Sequence, residues 1–354
     1  MSDGGRAGMV GAGVGLVAAG IAAGSLLGSA LERRVLRRPL AEATERGLGF
    51  GTVHSPPLVV AADDGVQLYV EIDEPDPGVG GPTVVFCHGY ALNLDCWHYQ
   101  RLTMREGGVR CVYWDQRGHG RSGRGMPGPV GIDRLGHDLQ AVLEATVPHG
   151  QPVVIVGHSM GGMTIMALAD QRPEMFGDRI VGVALVSTSA GRLAEVTLGV
   201  PAAAARLMHR AGPGVVSALT HAPRLVELGR RTGNDLEFVL TRLYSFSSAV
   251  PPAVVDFVRQ MNTATPIEVV ADFFPAFDDH DKEAALPVLQ KVETLVLVGA
   301  DDKLTPADHS RQIALTVPGA ELVVREDCGH MIMLEYPEEV DAHLAGLLDR
   351  AREP

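Results

Sequence analysis

The chain has 354 residues, 46% of them hydrophobic and 21% charged, with 43 acidic against 30 basic side chains and a formal net charge of −13. That length holds one large α/β domain with an insertion, or two small domains, and the composition is that of a globular protein rather than a disordered one. The acidic excess argues against nucleic acid as a partner, because phosphate binding needs clustered positive charge.

The stretch from Ala7 to Leu31 carries no charged residue. As a helix it would be roughly 37 Å long, enough to cross a hydrocarbon core of about 30 Å. Gly11 and Gly15, Gly20 and Gly24, and Gly24 and Gly28 form G-x-x-x-G pairs, which let membrane helices approach closely. These pairs permit association without fixing an oligomeric state. Arg33, Arg34, Arg37 and Arg38 follow the stretch, whereas Arg6 alone precedes it. Positive charge stays on the cytoplasmic side, so residues 1–31 read as a transmembrane segment holding a cytoplasmic domain at the cell membrane. Two readings compete: export with a cleaved leader ending near Gly28-Ser29-Ala30, and a weakly structured Gly/Ala-rich leader. Residues 32–57 are charged, then Gly-rich, and end at Pro56-Pro57, the pattern of a basic flank and linker.

Beyond the linker, short β-rich runs alternate with helical ones. Leu58–Ala62 and Val66–Ile72, separated by Asp63-Asp64-Gly65, predict a hairpin. Thr83–Cys87, Val109–Trp114, Val153–Val156, Ile180–Val186, Thr294–Val298 and Glu321–Val324 are apolar and rich in β-branched residues, as strands buried on both faces are. Ile132–Thr146, Met160–Gln171 and Glu338–Arg350 carry helical periodicity between them. This rhythm predicts a doubly wound, mostly parallel α/β sheet. Residues 190–285 break it with helical patterns such as Asp235–Ser247 and Pro252–Met261, and read as a helical insertion between the sixth and seventh strands. The core therefore splits into 58–189 and 286–354. Cys87, Cys96, Cys111 and Cys328 have no metal-type spacing and read as reduced core thiols. Basic residues are nearly all arginine, with lysine only at 282, 291 and 303, a composition that points to a GC-rich bacterial genome.

The strongest chemical signal is Gly157-His158-Ser159-Met160-Gly161, which follows an apolar strand and opens a helix. A tight strand-to-helix turn holds the serine strained with its hydroxyl exposed, and small neighbours prevent backbone collisions. The helix N-terminus adds free N–H groups suited to a developing oxyanion. Serine is a weak nucleophile at neutral pH and needs a base oriented by an acid. The strand, G-x-S-x-G and helix together resemble the nucleophile elbow of the α/β-hydrolase superfamily, a resemblance that implies an acid and then a histidine further along the chain. Thr294–Val298 leads into Gly299-Ala300-Asp301-Asp302-Lys303-Leu304-Thr305-Pro306. Glu321–Val324 leads into Asp327-Cys328-Gly329-His330, and His330 alone among the thirteen histidines sits just past a strand downstream of both. Oxyanion donors are expected from the backbone N–H groups of Met160 and of Tyr90, which follows Cys87-His88-Gly89. His88 itself reads as a brace for that loop. So does Asp115-Gln116-Arg117-Gly118-His119-Gly120-Arg121-Ser122, whose glycines and paired charges fit a tight turn.

From about Leu58 to Arg350 the chain resembles the α/β-hydrolase superfamily, through H-G-Y, D-Q-R-G-H-G-R-S, G-H-S-M-G, G-A-D-D-K-L-T-P and the late G-H in that order. The resemblance implies Asp302 rather than Asp301 as the acid, since the motif usually reads G-x-x-D-x-x-T-P. It also implies that residues 190–285 are a helical cap. Ser159 stands where dehalogenases and epoxide hydrolases of this fold carry aspartate, which argues against both. The implied activity is hydrolysis of a carboxylic ester or similar acyl substrate, lipid-derived if the anchor is real, by Ser159, His330 and Asp302 through an acyl-enzyme. No cofactor and no metal are implied. Cofactor-free perhydrolases of the haloperoxidase type and carbon–carbon bond hydrolases use the same triad and stand as alternatives. A non-catalytic ligand receptor on the same fold is the rival from outside enzymology.

Overall fold

The computed structural model describes residues 49–76, 80–197 and 234–352, without the side chains of 234–236. Residues 1–31, read as a transmembrane segment, lie outside the described residues, as do 32–48 of the stretch read as a flank and linker and 198–233 of the stretch read as a helical insertion. Among the described residues no helix is long and apolar enough to cross a membrane.

Eight strands form one sheet: β1 (Pro57–Ala61), β2 (Gln67–Asp73), β3 (Thr83–Cys87), β4 (Cys111–Trp114), β5 (Val153–His158), β6 (Ile180–Val186), β7 (Glu293–Gly299) and β8 (Glu321–Arg325). Their spatial order is β1-β2-β4-β3-β5-β6-β7-β8. The β1–β2 and β2–β4 pairs are antiparallel, and every pair from β4 through β8 is parallel. Every residue of β3, β4 and β5 is buried. These strands feed both layers in alternation: Val153 and Ile155 face one apolar cluster, Val154 and Val156 the other. The two-residue period of a strand thus divides one β-branched run between two cores.

Around the sheet the described residues form α1 (His98–Glu106), α2 (Ile132–Thr146), α3 (Met160–Gln171), α4 (Asn234–Ser245), α5 (Pro252–Ala264), α6 (Ile267–Asp279), α7 (Ala307–Thr316), α8 (Ile332–Glu335) and α9 (Pro337–Arg350), together with four 3-10 helices. Leu139 and Leu143 of α2 and Ile165 and Leu168 of α3 fill one layer. Trp97, Met104 of α1 and Leu344 and Leu347 of α9 fill the other. Helix α2 approaches α3 closely at Gly136, where an added Cβ would lie 3.0 Å from the Ala167 carbonyl carbon.

Helices α4 to α6 lie between β6 and β7 in sequence, and α6 closes over the first turn of α3. There Val269, Phe273 and Ala276 pack with Met160, Met163 and Ile132. The Tyr90 hydroxyl donates to the Val270 carbonyl at 2.7 Å, and Arg124 donates to Asp272 at 2.8 Å. The four cysteines are buried and unpaired. Phe50, ahead of β1, stacks on Phe257 of α5 with ring centroids 4.7 Å apart.

Candidate active site

The carboxyl ends of β3, β5, β7 and β8 open onto one region, where the strand order turns back on itself and ligands bind in open α/β sheets. Strand β5 enters α3 through Ser159, whose backbone sits at φ 52° and ψ −117°. A non-glycine residue in that region stores on the order of 1–3 kcal/mol of strain, and the surroundings must hold it. They do so directly. The Ser159 N–H donates to the Val186 carbonyl at 2.9 Å, and the Thr188 hydroxyl donates to the Ser159 carbonyl at 2.7 Å.

The small residues around Ser159 are required by space. A Cβ on Gly161 would lie 2.2 Å from the Cys87 carbonyl oxygen, and one on Gly157 would lie 2.5 Å from the Gly161 backbone. Strand β3, the elbow and α3 are therefore in backbone contact, which sets the Gly89-Tyr90 loop beside the serine. Among the described residues, neither the Tyr90 nor the Met160 backbone N–H donates a hydrogen bond to the protein. Met160 opens α3, where backbone N–H groups have no partner within the helix.

Asp302 and His330 come together from two loops stitched to each other. The Asp301 N–H donates to the Cys328 carbonyl at 2.9 Å, and the Ala300 N–H to the Arg325 carbonyl at 2.8 Å. Asp302 Oδ1 accepts the N–H groups of Leu304 and Thr305, each at 2.9 Å, and Oδ2 accepts the Thr305 hydroxyl at 2.8 Å. His330 Nδ1 lies 2.8 Å from the same Oδ2. A carboxylate so placed accepts the Nδ1 proton and leaves Nε2 with its lone pair. Asp301 points elsewhere: its Oδ2 accepts the Ser247 hydroxyl at 2.7 Å.

Three further histidines line or underlie the site. His158 Nε2 donates to the His330 carbonyl at 3.0 Å, and the two rings are 4.7 Å apart. Burial, with His330 beside it, holds His158 far below the usual histidine range, so it stays neutral there. His88 Nδ1 donates to the Gly89 carbonyl at 2.7 Å and Nε2 accepts the Gln116 N–H at 2.9 Å. Burial lowers its pKa to about 3, and that of His119 to about 4. His88 thus braces the loop behind Tyr90. The Asp115–Ser122 turn is braced likewise. Buried Asp115, pushed up to about 7 by desolvation, accepts the N–H groups of Leu94 and Arg121 at 2.8 Å. Arg117 is clamped by Asp138 at 2.5 and 2.6 Å.

Ser159 and His330 face a cavity of about 710 Å³ beneath α4, α5 and α6. Its walls are mainly apolar, with Leu92, Met163, Val196, Leu240, Val258 and Phe277 among them. Among the described residues no three His, Cys, Asp or Glu side chains converge to hold a metal ion. Sequence reasoning did not single out Glu335. Its carboxylate Oε1 accepts the Gly329 N–H at 2.6 Å, one residue before His330.

A family model described as alpha/beta hydrolase fold matches residues 82–337. A non-heme haloperoxidase of Rhodococcus erythropolis is 26% identical over 300 residues, covering 82% of this chain and 98% of the relative. A non-heme chloroperoxidase of Kitasatospora aureofaciens is 30% identical, covering 77% and 91%. Among solved structures, a thermophilic esterase from Thermogutta terrifontis superposes with a TM-score of 0.64 at 25% identity, over 84% of this chain and 100% of that one.

Proposed function

The chain belongs to the α/β-hydrolase fold family, and from that premise we propose that it is a serine hydrolase cleaving carboxylic esters with an apolar acyl or alcohol part. The observation that carries this reading is the buried Asp302–His330 hydrogen bond of 2.8 Å, opening on the same apolar cavity as Ser159. In the proposed reaction His330 Nε2 takes the proton of Ser159 as Oγ attacks the ester carbonyl, and Asp302 steadies the imidazolium. The Tyr90 and Met160 N–H groups stabilise the tetrahedral oxyanion. The intermediate collapses as His330 hands its proton to the departing alcohol. Water, deprotonated by His330, then attacks the acyl-enzyme, and the proton returns to Ser159 as the acid leaves.

The mainly apolar walls support substrates that fill them. Across p-nitrophenyl esters of increasing acyl length, kcat/KM is expected to rise by about tenfold for every two methylenes that enter the cavity, then level off. A maximum at acetate with a monotonic fall thereafter would defeat the apolar-ester assignment. The similarity to non-heme haloperoxidases supports a second reading, in which hydrogen peroxide replaces water as the nucleophile that releases the acyl group and yields a peracid. Peroxide-dependent halogenation of a dye in the presence of a short carboxylic acid, exceeding ester hydrolysis, would favour that reading.

Residues 7–31 are proposed as a membrane anchor on their uncharged, apolar character and the arginines after them. The full chain is then expected in the detergent-soluble membrane fraction, and a chain starting at Leu40 in the supernatant. Recovery of both in the supernatant would remove the anchor.

A further inference from the structure

The peptide groups around His330 are held on every side. The Gly329 N–H donates to Glu335 Oε1 at 2.6 Å, the His330 carbonyl accepts from His158 at 3.0 Å, and the Met331 N–H donates to the Ser245 carbonyl at 2.9 Å. Two of these three ties lead to the end of α4 and the segment after it, on the cap side of the cavity. Glu335 makes the larger link. Its Oε2 accepts the Ser247 N–H at 3.0 Å, the Ser248 N–H at 2.7 Å and the Ser248 hydroxyl at 2.6 Å. Its Oε1 also receives the Cys328 thiol at 3.7 Å. The segments meet so closely that a Cβ on Gly329 would lie 2.9 Å from the Phe246 carbonyl carbon and the Ser247 nitrogen.

We propose that Glu335 is a positioning residue for His330: its carboxylate fastens the Ser245–Ser248 segment to the histidine loop, so that seating of the cap aligns the imidazole. Glu335 has no place in the bond-making steps. It acts through Gly329, whose N–H it holds. The hydrogen-bond inventory makes the role specific to a carboxylate. Five donors converge on Glu335, and an ionised carboxylate accepts on both oxygens. A glutamine presents one oxygen and one NH2 group, so one of the two segments must face a donor with a donor. Either orientation releases a tie.

The kinetic arm of the test rests on the serine-hydrolase reading; the spectroscopic arm does not. Wild type, Glu335→Gln and Glu335→Asp are compared in the full chain. The first readout is the downfield proton resonance of His330 Nδ1–H, assigned by its loss in His330→Gln. The second is kcat on an apolar p-nitrophenyl ester per site titrated with a fluorophosphonate, so that unfolded molecules do not count. Glu335→Gln is expected to shift or broaden the resonance and to lower kcat per titrated site by on the order of 100-fold, the effect of a misplacement near 1 Å. Glu335→Asp, which keeps both acceptor oxygens, is expected to recover part of each. Ser248→Ala removes one hydroxyl and should move the resonance in the same direction by less, and it decides the question if the glutamine variant does not fold. An unchanged resonance in Glu335→Gln with unchanged kcat per site would overturn the role. If the fluorophosphonate fails to label wild type at Ser159, the hydrolase reading falls, and the resonance alone still decides whether Glu335 positions His330.

Discussion

Replacing Ser159 with alanine is expected to lower kcat for apolar p-nitrophenyl esters by roughly four to six orders of magnitude, the range for loss of an activated serine nucleophile. The size follows from the role. The Thr188 hydroxyl cannot take over, because it is committed to the Ser159 carbonyl at 2.7 Å. Stability should barely change. Alanine carries the same Cβ into the same strained backbone at φ 52°, and the bonds that pin the turn involve only the backbone of residue 159. The decisive comparison is steady-state turnover beside a thermal melt. A variant with unchanged Tm that keeps more than a few per cent of wild-type turnover would remove Ser159 from the chemistry.

The frame of the protein was legible because buried parallel strands announce themselves. Thr83–Cys87 and Ile180–Val186 run continuously apolar and β-branched, and they form strands at those same bounds. Three helices left no such mark. Helix α1 buries His98, Gln100 and Arg101, and its Arg101 is spent on Glu71 and Asp73 at 2.7 Å each. A helix whose inner face is polar shows no apolar stripe. Helix α6 contains Pro275, which breaks the helical pattern on paper, and α7 is largely polar. Val109, read as the start of β4, instead ends the turn after α1, its N–H donating to the Met104 carbonyl at 3.0 Å.

The candidate site divides along the same line. Ser159, Asp302 and His330 were readable because each follows a strand end inside a short pattern, and the structure places Asp302 against His330 with Ser159 on the same cavity. Tyr90 and Met160 are proposed to act through backbone N–H groups, so only their places in the chain could mark them. Glu335 was invisible for another reason. Its partners Ser247 and Ser248 lie 88 and 87 residues away, and nothing local shows that a carboxylate five residues past His330 will meet them.

Asp302→Asn is expected to cost nearly as much as loss of the serine, about 10⁴-fold in kcat, through a tautomer and not through geometry. The surroundings of residue 302 dictate which way the new amide turns. Oδ1 receives two backbone N–H groups at 2.9 Å, so the asparagine oxygen must stay on that side. Its NH2 group then occupies the Oδ2 position, 2.8 Å from both His330 Nδ1 and the Thr305 hydroxyl. A donor there requires Nδ1 to accept, which moves the imidazole proton to Nε2 and leaves that nitrogen no lone pair with which to take a proton. The residue and its packing are preserved while the base is turned off. Asp301→Asn is the matched control, because Asp301 bonds Ser247 at 2.7 Å and does not reach His330. It should keep kcat within about threefold, in line with a substitution at a partly exposed hydrogen bond. Activity in Asp302→Asn should also recover as pH rises if hydroxide can replace the lost base, a rescue that a folding defect would not give. Equal losses in the two variants would mean that the 2.8 Å contact is not what orients His330. A silent Asp302→Asn beside an inactive Asp301→Asn would transfer the acid's role to the neighbouring residue.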